Sequence, residues 1–189
     1  MLWCSQSGRV SMNLLLGVTG GIAAYKACEL VSLALKSGCQ IEVMMTNGAC
    51  QFIGPLSFEG LTGKAPHVDT FSSAMAHIEL GKWADVCCIA PLSAHTLAKL
   101  ANGLCDDMLS TTILALPSKV PLILAPAMNT NMWNHPMTQH NLKKCQELSA
   151  AKIIDPVEKR LACGDYGVGG LAAPQDIMTI ISTSYIQNS

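Results

Sequence analysis

Three short segments of the chain are almost continuously apolar, and a glycine or proline ends or follows each of them. They read NLLLGVT at 13–19, ADVCCIAP at 84–91 and VPLILAP at 120–126. Runs of this length bounded by turn residues are typical of strands buried on both faces, because a strand with one solvated face alternates apolar and polar residues. Strands buried on both faces occur mainly in parallel sheets covered by helices, so these runs favour an α/β fold.

Helical patterns alternate with these strands. The segment 22–38 carries one apolar stripe before Gly38, as an amphipathic helix does. The sequence predicts further helices at 93–104, 108–116, 134–150 and 173–186, and further strands at 40–46 and 152–156. In the helix at 134–150, Asn134 or His135 is the expected cap and Pro136 suits the first turn. The alternation predicts a doubly wound parallel sheet, a flavodoxin-like or Rossmann-like three-layer sandwich.

The bulk composition suits a single apolar domain. We assign that domain to 13–189 of the 189-residue chain, after a short N-terminal extension at 1–12. Half of the residues are hydrophobic, 13% are charged and the formal net charge is −1, which disfavours a nucleic-acid partner or an anionic membrane surface. The apolar runs are also shorter than the roughly 20 residues that a membrane span needs. We therefore expect neither a nucleic-acid nor a membrane partner.

The nine cysteines of the chain are spread along it, mostly in apolar surroundings. In such surroundings cysteine behaves as a small hydrophobic residue. No C-x-x-C motif occurs, so the spacing does not predict a zinc site. We expect no metal and a reducing, cytoplasmic compartment.

The residues that follow the first two strands are candidates for a ligand site, because ligands of this fold class bind at the carboxyl ends of strands. Gly20 and Gly21 either allow a tight turn or bring the N–H groups of a helix terminus to an anion. The G-x-G-x-x-G spacing is absent, and Thr46 and Asn47 stand where an NAD-binding fold has an acidic residue. These polar groups suit a mononucleotide phosphate better than a dinucleotide.

The later strand ends offer polar side chains whose commonest roles are local. Ser93, His95 and Thr96 open a predicted helix, where hydroxyl groups cap the helix or bind a phosphate. Asn129 either turns the corner after its strand or holds a carboxylate. His77 precedes a strand by several residues, and a lone histidine is more often structural than catalytic. Taken singly, these residues assign no function.

The segment RLACGDYGVGG at 160–170 places a thiol, Cys163, among glycine and alanine residues. Glycine leaves a backbone free to bend and to lie close to another group. The placement of a thiol in such a segment, and not in a core, raises the question of what the thiol does.

Five motifs taken together resemble the flavin-containing cysteine decarboxylases. In chain order they are GGIAAYKA, HIELGKWAD, APLSAHTLAKLANGLCDDMLST, APAMNTNMWNHP and LACGDYGVGG, and the resemblance runs from about 13 to 180. PAMNTNMW is shared with the branch that decarboxylates peptidyl-cysteines. LACGDYGVGG is more particular to the branch that acts on 4′-phospho-N-pantothenoylcysteine.

The resemblance implies an FMN-dependent decarboxylation of 4′-phospho-N-pantothenoylcysteine to 4′-phosphopantetheine in coenzyme A biosynthesis. In that family FMN takes two electrons from the substrate cysteine, CO₂ departs, and reduced FMN returns the electrons, so no net redox change occurs. The alternatives on the same fold are a peptidyl-cysteine decarboxylase, a flavin prenyltransferase and a non-catalytic FMN-binding regulatory subunit. The last motif and the retained catalytic positions favour the first function.

The resemblance also implies roles for single residues. His77 matches an active-site histidine beside the flavin, Asn129 an asparagine that binds the substrate carboxylate, and Cys163 the cysteine that protonates the enethiol. Arg160 and Ala162 match substrate contacts on a flap at about 158–172. The positions that match FMN contacts are Gly20, Gly21, Ile22, Thr46, Ser93, Ala94, His95, Thr96 and Ala127.

Two further expectations come with the resemblance. His95 stands where relatives carry asparagine, so one FMN contact is chemically altered. The family also implies a homotrimer, or a multiple of trimers, with FMN near the subunit contacts.

Overall fold

A parallel five-stranded sheet forms the centre of the molecule, in a computed structural model that describes residues 12–70, 73–160, 164 and 166–188. Its strands are β1 (Asn13–Val18), β2 (Gln40–Met45), β3 (Val86–Leu92), β4 (Leu122–Pro126) and β5 (Lys152–Ile153). Their order in the sheet is β2–β1–β3–β4–β5, and all four neighbouring pairs are parallel. This order is that of flavodoxin-like folds.

Helices cover both faces of the sheet. They are α1 (Lys26–Lys36), α2 (Asn47–Cys50), α3 (Pro55–Thr62), α4 (Ala76–Trp83), α5 (Ala94–Asn102), α6 (Met108–Leu114), α7 (Thr130–Asn134), α8 (Pro136–Ser149) and α9 (Pro174–Asn188). Side chains of α1, α3 and α9 join one buried cluster, and those of α4, α5, α6 and α8 join the other. The three-layer, doubly wound fold predicted from the sequence is confirmed.

The continuous apolar runs follow from this double coverage. In β1, Leu14 and Leu16 belong to the cluster beneath α1, whereas Leu15 belongs to the opposite cluster beneath α4. All seven residues of β3 are buried. Because successive side chains of a strand point to opposite faces, both sets must be apolar when both faces are covered.

The buried cysteines pack as small apolar residues. Neighbouring Cys87 and Cys88 on β3 are fully buried and belong to opposite clusters. Burial raises the pKa of the Cys87 thiol to about 12 and raises that of Cys88 as well. These thiols therefore stay protonated and inert.

Two helix boundaries show how local signals act. The predicted helix at 22–38 begins with a 3₁₀ turn, Ile22–Tyr25, before α1. The predicted helix at 134–150 begins one residue after its cap, since His135 Nδ1 accepts the Met137 N–H at 3.1 Å and Pro136 is the first helical residue. Helices α2, α3, α4 and α7 were not predicted. No helix among the described residues has both the length and the apolar character that crossing a membrane requires.

A partly buried ion cluster joins α5 to α6. The Lys99 ammonium lies 2.8 Å from Asp107 and 2.7 Å from Asp106. Asp107 also caps α6, accepting the Ser110 N–H at 2.8 Å. Burial by itself would raise the pKa of Asp107, but the hydrogen bond from Lys99 and those from Ser110 hold it below its ordinary value.

We expect Asp107→Asn to lower the free energy of unfolding by about 1–2 kcal/mol at neutral pH, because asparagine keeps the cap but loses the charge paired with Lys99. The folded-state pKa of Asp107 is lowered, so its contribution is present above the ordinary value of 3.8 and is lost as pH falls through the folded value. Urea titrations of both proteins at neutral and acid pH measure this difference. Asp106→Asn, at a side chain that is 65% exposed, is the control and has a smaller effect. An equal loss at every pH would contradict the role of the charge.

Candidate active site

A cavity of about 440 Å³ lies at the carboxyl ends of β1, β3 and β4. This edge of a doubly wound sheet is where ligands bind, and the volume lies within the roughly 300–1,000 Å³ of small-molecule sites. Its walls come from the 3₁₀ turn after β1, the start of α5, the loop after β4 and a two-stranded hairpin. The hairpin consists of β6 (Val157–Arg160) and β7 (Tyr166–Gly170), which are antiparallel.

Thr19 holds two strand ends together beneath the cavity. Its side chain is fully buried, and its Oγ1 donates to the Pro91 carbonyl at 2.7 Å and accepts the Ser93 N–H at 2.8 Å. The Pro91 carbonyl also accepts the Thr19 N–H at 3.3 Å, so the backbone and the side chain of Thr19 both bind the end of β3. The turn after β1 and the start of α5 are fixed relative to each other.

The two glycines after Thr19 have different roles. A Cβ on Gly20 would lie 2.9 Å from the Gly48 carbonyl carbon, so the turn after β1 can pack against the backbone of α2 only if residue 20 is glycine. A Cβ on Gly21 would meet no atom within 4 Å and would project into open space beside the cavity. Among the described residues, no side chain caps the 3₁₀ turn that Gly21 opens.

Caps also order the walls of the cavity. Ser93 caps α5, with Oγ accepting the Thr96 N–H at 3.2 Å. Asn129 caps α7, with Oδ1 accepting the Asn131 N–H at 2.8 Å. Both residues therefore hold fixed positions at the cavity wall.

The hairpin is attached to the loop after β4. The Met128 N–H donates to the Gly169 carbonyl at 2.9 Å. Thr130 Oγ1, which is buried and has no hydrogen-bond partner among the described residues, would lie 2.7 Å from a Cβ on Gly167. The hairpin and the loop that carries Asn129 therefore pack closely against each other.

Three cationic side chains, Lys26, Lys159 and Arg160, line the cavity. Burial and the neighbouring Lys26 ammonium lower the pKa of Lys159. Sequence reasoning missed Lys26 and Lys159. The adjacent Lys159-Arg160 pair was a visible signal, but Lys26 read only as part of a helix.

The predicted site residues divide into three groups. Those that line the cavity are Gly20, Gly21, Ile22, Ser93, Ala94, Ala127, Asn129 and Arg160. Those that do not line it are Thr46, His77, His95 and Thr96. Cys163 and Ala162 lie outside the described residues.

The residues away from the cavity have identifiable local positions. Thr46 is buried and caps α2, accepting the Ala49 N–H at 3.1 Å. Thr96 is buried in the first turn of α5, and His95 beside it is exposed. His77 is half-buried on α4, which covers the face of the sheet opposite α1.

Residues 5–185 match the Flavoprotein family. The chain belongs to that family. A probable phosphopantothenoylcysteine decarboxylase of Streptococcus mutans is 42% identical over 176 residues, which are 91% of this chain and 96% of that protein. The coenzyme A biosynthesis bifunctional protein of Bacillus subtilis is 40% identical over 181 residues, 94% of this chain but 44% of that protein. The chain thus spans less than half the length of the bifunctional relatives.

Solved structures share the fold over nearly the same range. A mutant PPC decarboxylase complexed with pantothenoylaminoethenethiol has a TM-score of 0.83 and 36% identity, covering 93% of this chain and 99% of that one. The FMN binding protein AtHal3 has a TM-score of 0.82 and 35% identity, covering 95% of this chain and 99% of that one.

The cavity fits a flavin, the cofactor that membership of this family supports. The space over Gly21 is open beside an uncapped turn, where backbone N–H groups suit a phosphate. Ile22 and Met132 give the cavity apolar walls although they are 64% and 48% exposed, as a flat aromatic ring requires.

We expect Thr19→Val to lower the free energy of unfolding by about 1–3 kcal/mol, because the Ser93 N–H loses its partner and the Pro91 carbonyl loses one of its two hydrogen bonds. Urea titration of the purified variant measures the loss. The matched control is Thr183→Val on α9, whose exposed hydroxyl donates only to Thr179 in its own helix. Equal stability of the two variants would show that Thr19 does not hold the strand ends.

Proposed function

We propose that this protein catalyses the FMN-dependent decarboxylation of 4′-phospho-N-pantothenoylcysteine to 4′-phosphopantetheine, a step of coenzyme A biosynthesis. The observation that carries the proposal is the convergence of Asn129, Arg160 and the Gly20–Gly21 turn on one cavity in a chain of the Flavoprotein family. The free thiols in the described part of the chain agree with a reducing compartment, so the proposal places the reaction in the cytoplasm.

Asn129 is the proposed site of the substrate carboxylate. Its cap bond to the Asn131 N–H fixes it at the cavity wall. A neutral amide orients a carboxylate by hydrogen bonding without stabilising its charge as strongly as an ammonium would. This suits decarboxylation, because binding that stabilises the ground state more than the transition state slows the reaction.

Cys163 is the proposed proton donor, and its role rests on the resemblance of its motif. Loss of CO₂ from the oxidised substrate leaves an enethiol, which must gain a proton and a hydride to become the product thiol. The Cys163 thiol supplies the proton, and the hydride is the chemistry that a bound flavin would return. We propose that the segment at about 158–172 acts as a flap, with Arg160 and Ala162 contacting substrate. The Met128–Gly169 hydrogen bond, which attaches β7 to the loop after β4, supports an anchored base for this segment.

Bound FMN would supply a reversible acceptor of two electrons. Gly20, Gly21 and Ile22 would hold its phosphate end, and Ser93, Ala94 and Ala127 line the cavity beside them. Thr46 and Thr96 would act on this site indirectly, because their positions order the turns next to it. His95 is exposed in the first turn of α5, so its replacement of the family's asparagine is accommodated at the surface.

The proposal includes a homotrimer or a multiple of trimers in which His77 reaches the cavity of a neighbouring copy. His77 does not line the cavity of its own chain, and α4 covers the opposite face of the sheet from α1. Ile22 and Tyr25 at the cavity are 64% and 62% exposed, which suits a surface that a second copy covers.

The central test is decarboxylation itself. We expect the purified protein to be yellow with FMN and to release CO₂ from 4′-phospho-N-pantothenoylcysteine but not from a cysteine-terminated peptide. Asn129→Asp keeps a capping oxygen but opposes the substrate carboxylate, so kcat/KM falls by about 100-fold or more. Asn102→Asp, at an exposed position on α5, keeps the original rate. A colourless protein that takes up no FMN, or one that releases no CO₂, would overturn the proposal.

Shared sites predict complementation between two inactive variants. We expect His77→Asn and Cys163→Ser to be inactive separately, and co-expressed mixed oligomers to regain up to about a third of the turnover of the unchanged protein, because one site per mixed trimer keeps both native residues. Differently tagged chains isolate the mixed oligomers, and stopped assays of CO₂ and 4′-phosphopantetheine measure the gain. His140→Asn, on the exposed side of α8, is the control for loss of a histidine. Mixed oligomers without activity would place His77 in the site of its own chain or in none.

A further inference from the structure

Two lysines meet beside the cavity although they are distant in sequence. Lys26 begins α1 and Lys159 lies on β6, and both line the cavity. The Lys159 ammonium is within hydrogen-bonding reach of the Lys26 ammonium, and both side chains are half-buried. Two ammonium groups at this distance repel each other, more strongly where water is partly excluded.

The hairpin directs Lys159 toward Lys26. The aliphatic stem of Lys159 passes over Gly170 of β7, and a Cβ at residue 170 would overlap it. A Cβ at this position would force the Lys159 side chain to shift. Glycine at residue 170 leaves room for the stem in the position that it occupies.

No carboxylate pairs with this cluster in the described part of the chain. Other lysines do have acidic partners, as Lys64 has Glu42 and Lys99 has Asp107. None of the salt bridges formed within residues 12–70, 73–160, 164 and 166–188 includes Lys26, Lys159 or Arg160. The lowered pKa of Lys159, caused by burial and by Lys26, agrees with a positive charge that lacks a counter-ion.

We propose that Lys26 and Lys159 together bind the dianionic phosphate group of the substrate, with Gly170 as the positioning residue. The assignment rests on the proposed function, which supplies a phosphorylated substrate. A phosphate monoester carries close to two negative charges at neutral pH and three acceptor oxygens, so it matches two adjacent ammonium groups in charge and in hydrogen bonding. The neighbouring Arg160 adds a third positive charge on the same strand.

The FMN phosphate is a second source of the same chemistry, and the experiment separates the two. Steady-state rates are measured on the flavin-loaded protein with 4′-phospho-N-pantothenoylcysteine and with the same compound lacking its phosphate. We expect Lys159→Gln and Lys26→Gln each to lower the preference for the phosphorylated substrate by about 10- to 100-fold, with flavin content unchanged in the visible spectrum. Lys36→Gln, at the exposed end of the same helix as Lys26, is the control.

Gly170→Ala tests placement separately from charge. It retains both lysines but moves the Lys159 stem, so we expect the same preference to fall several-fold. Gly60→Ala on α3, where a Cβ meets nothing within 4 Å, is its control. An unchanged preference in Lys159→Gln, or loss of flavin in place of substrate discrimination, would overturn the assignment to the substrate phosphate.

The assignment and the proposed function fail in different ways. Suppose that the unchanged protein decarboxylates the phosphorylated substrate and that the lysine variants prefer it over the unphosphorylated compound to the same degree. Only the assignment of the lysine pair then fails. If no substrate is decarboxylated, the proposed function fails. Calorimetric titration of the flavin-loaded proteins with inorganic phosphate then still tests the lysine pair, because the unchanged protein must bind phosphate at least about 10-fold more tightly than Lys159→Gln.

Discussion

The burial of both faces of the parallel sheet is the constraint on which the rest of the molecule depends. It sends Leu14 and Leu15, adjacent in β1, into opposite apolar layers and leaves the interiors of the central strands β1, β3 and β4 without polar side chains. The polar side chains around the cavity therefore lie at the carboxyl ends of the strands, where the backbone leaves the sheet. Thr19 satisfies the freed backbone groups of Pro91 and Ser93 there, and the cavity opens directly above it.

Features encoded by neighbouring residues could be predicted from the sequence, and features made by distant residues could not. The run at 84–91 predicted β3 and Ser93 predicted a cap, because burial pattern and capping act within one element. Nothing local indicated that Lys26 and Lys159 would meet, since one lies on α1 and the other on β6 and only the tertiary structure brings them together. His77 was singled out by the family resemblance alone, and its position on α4 is not explained by the cavity of one chain.

The hairpin depends on the body of the protein for its position. An isolated two-stranded hairpin is marginally stable in water, so its contacts with the sheet determine where it lies. The most direct of these are the Met128–Gly169 hydrogen bond and the packing of Gly167 on Thr130. Both join the hairpin to the loop that carries Asn129. The proposed carboxylate site and the proposed flap are therefore mechanically connected through one short segment.

The Lys26–Lys159 pair relates the proposed phosphate site to the attachment of the hairpin. Lys26 belongs to a helix packed in the core, whereas Lys159 belongs to the hairpin, so an anion bound by both also links the hairpin to the helix. The repulsion between the two ammonium groups destabilises this arrangement, and a bound anion would neutralise it. Binding energy from a phosphate remote from the reacting carbon would then help to hold the hairpin in place, which is how non-reacting parts of a substrate raise the rate of a chemical step.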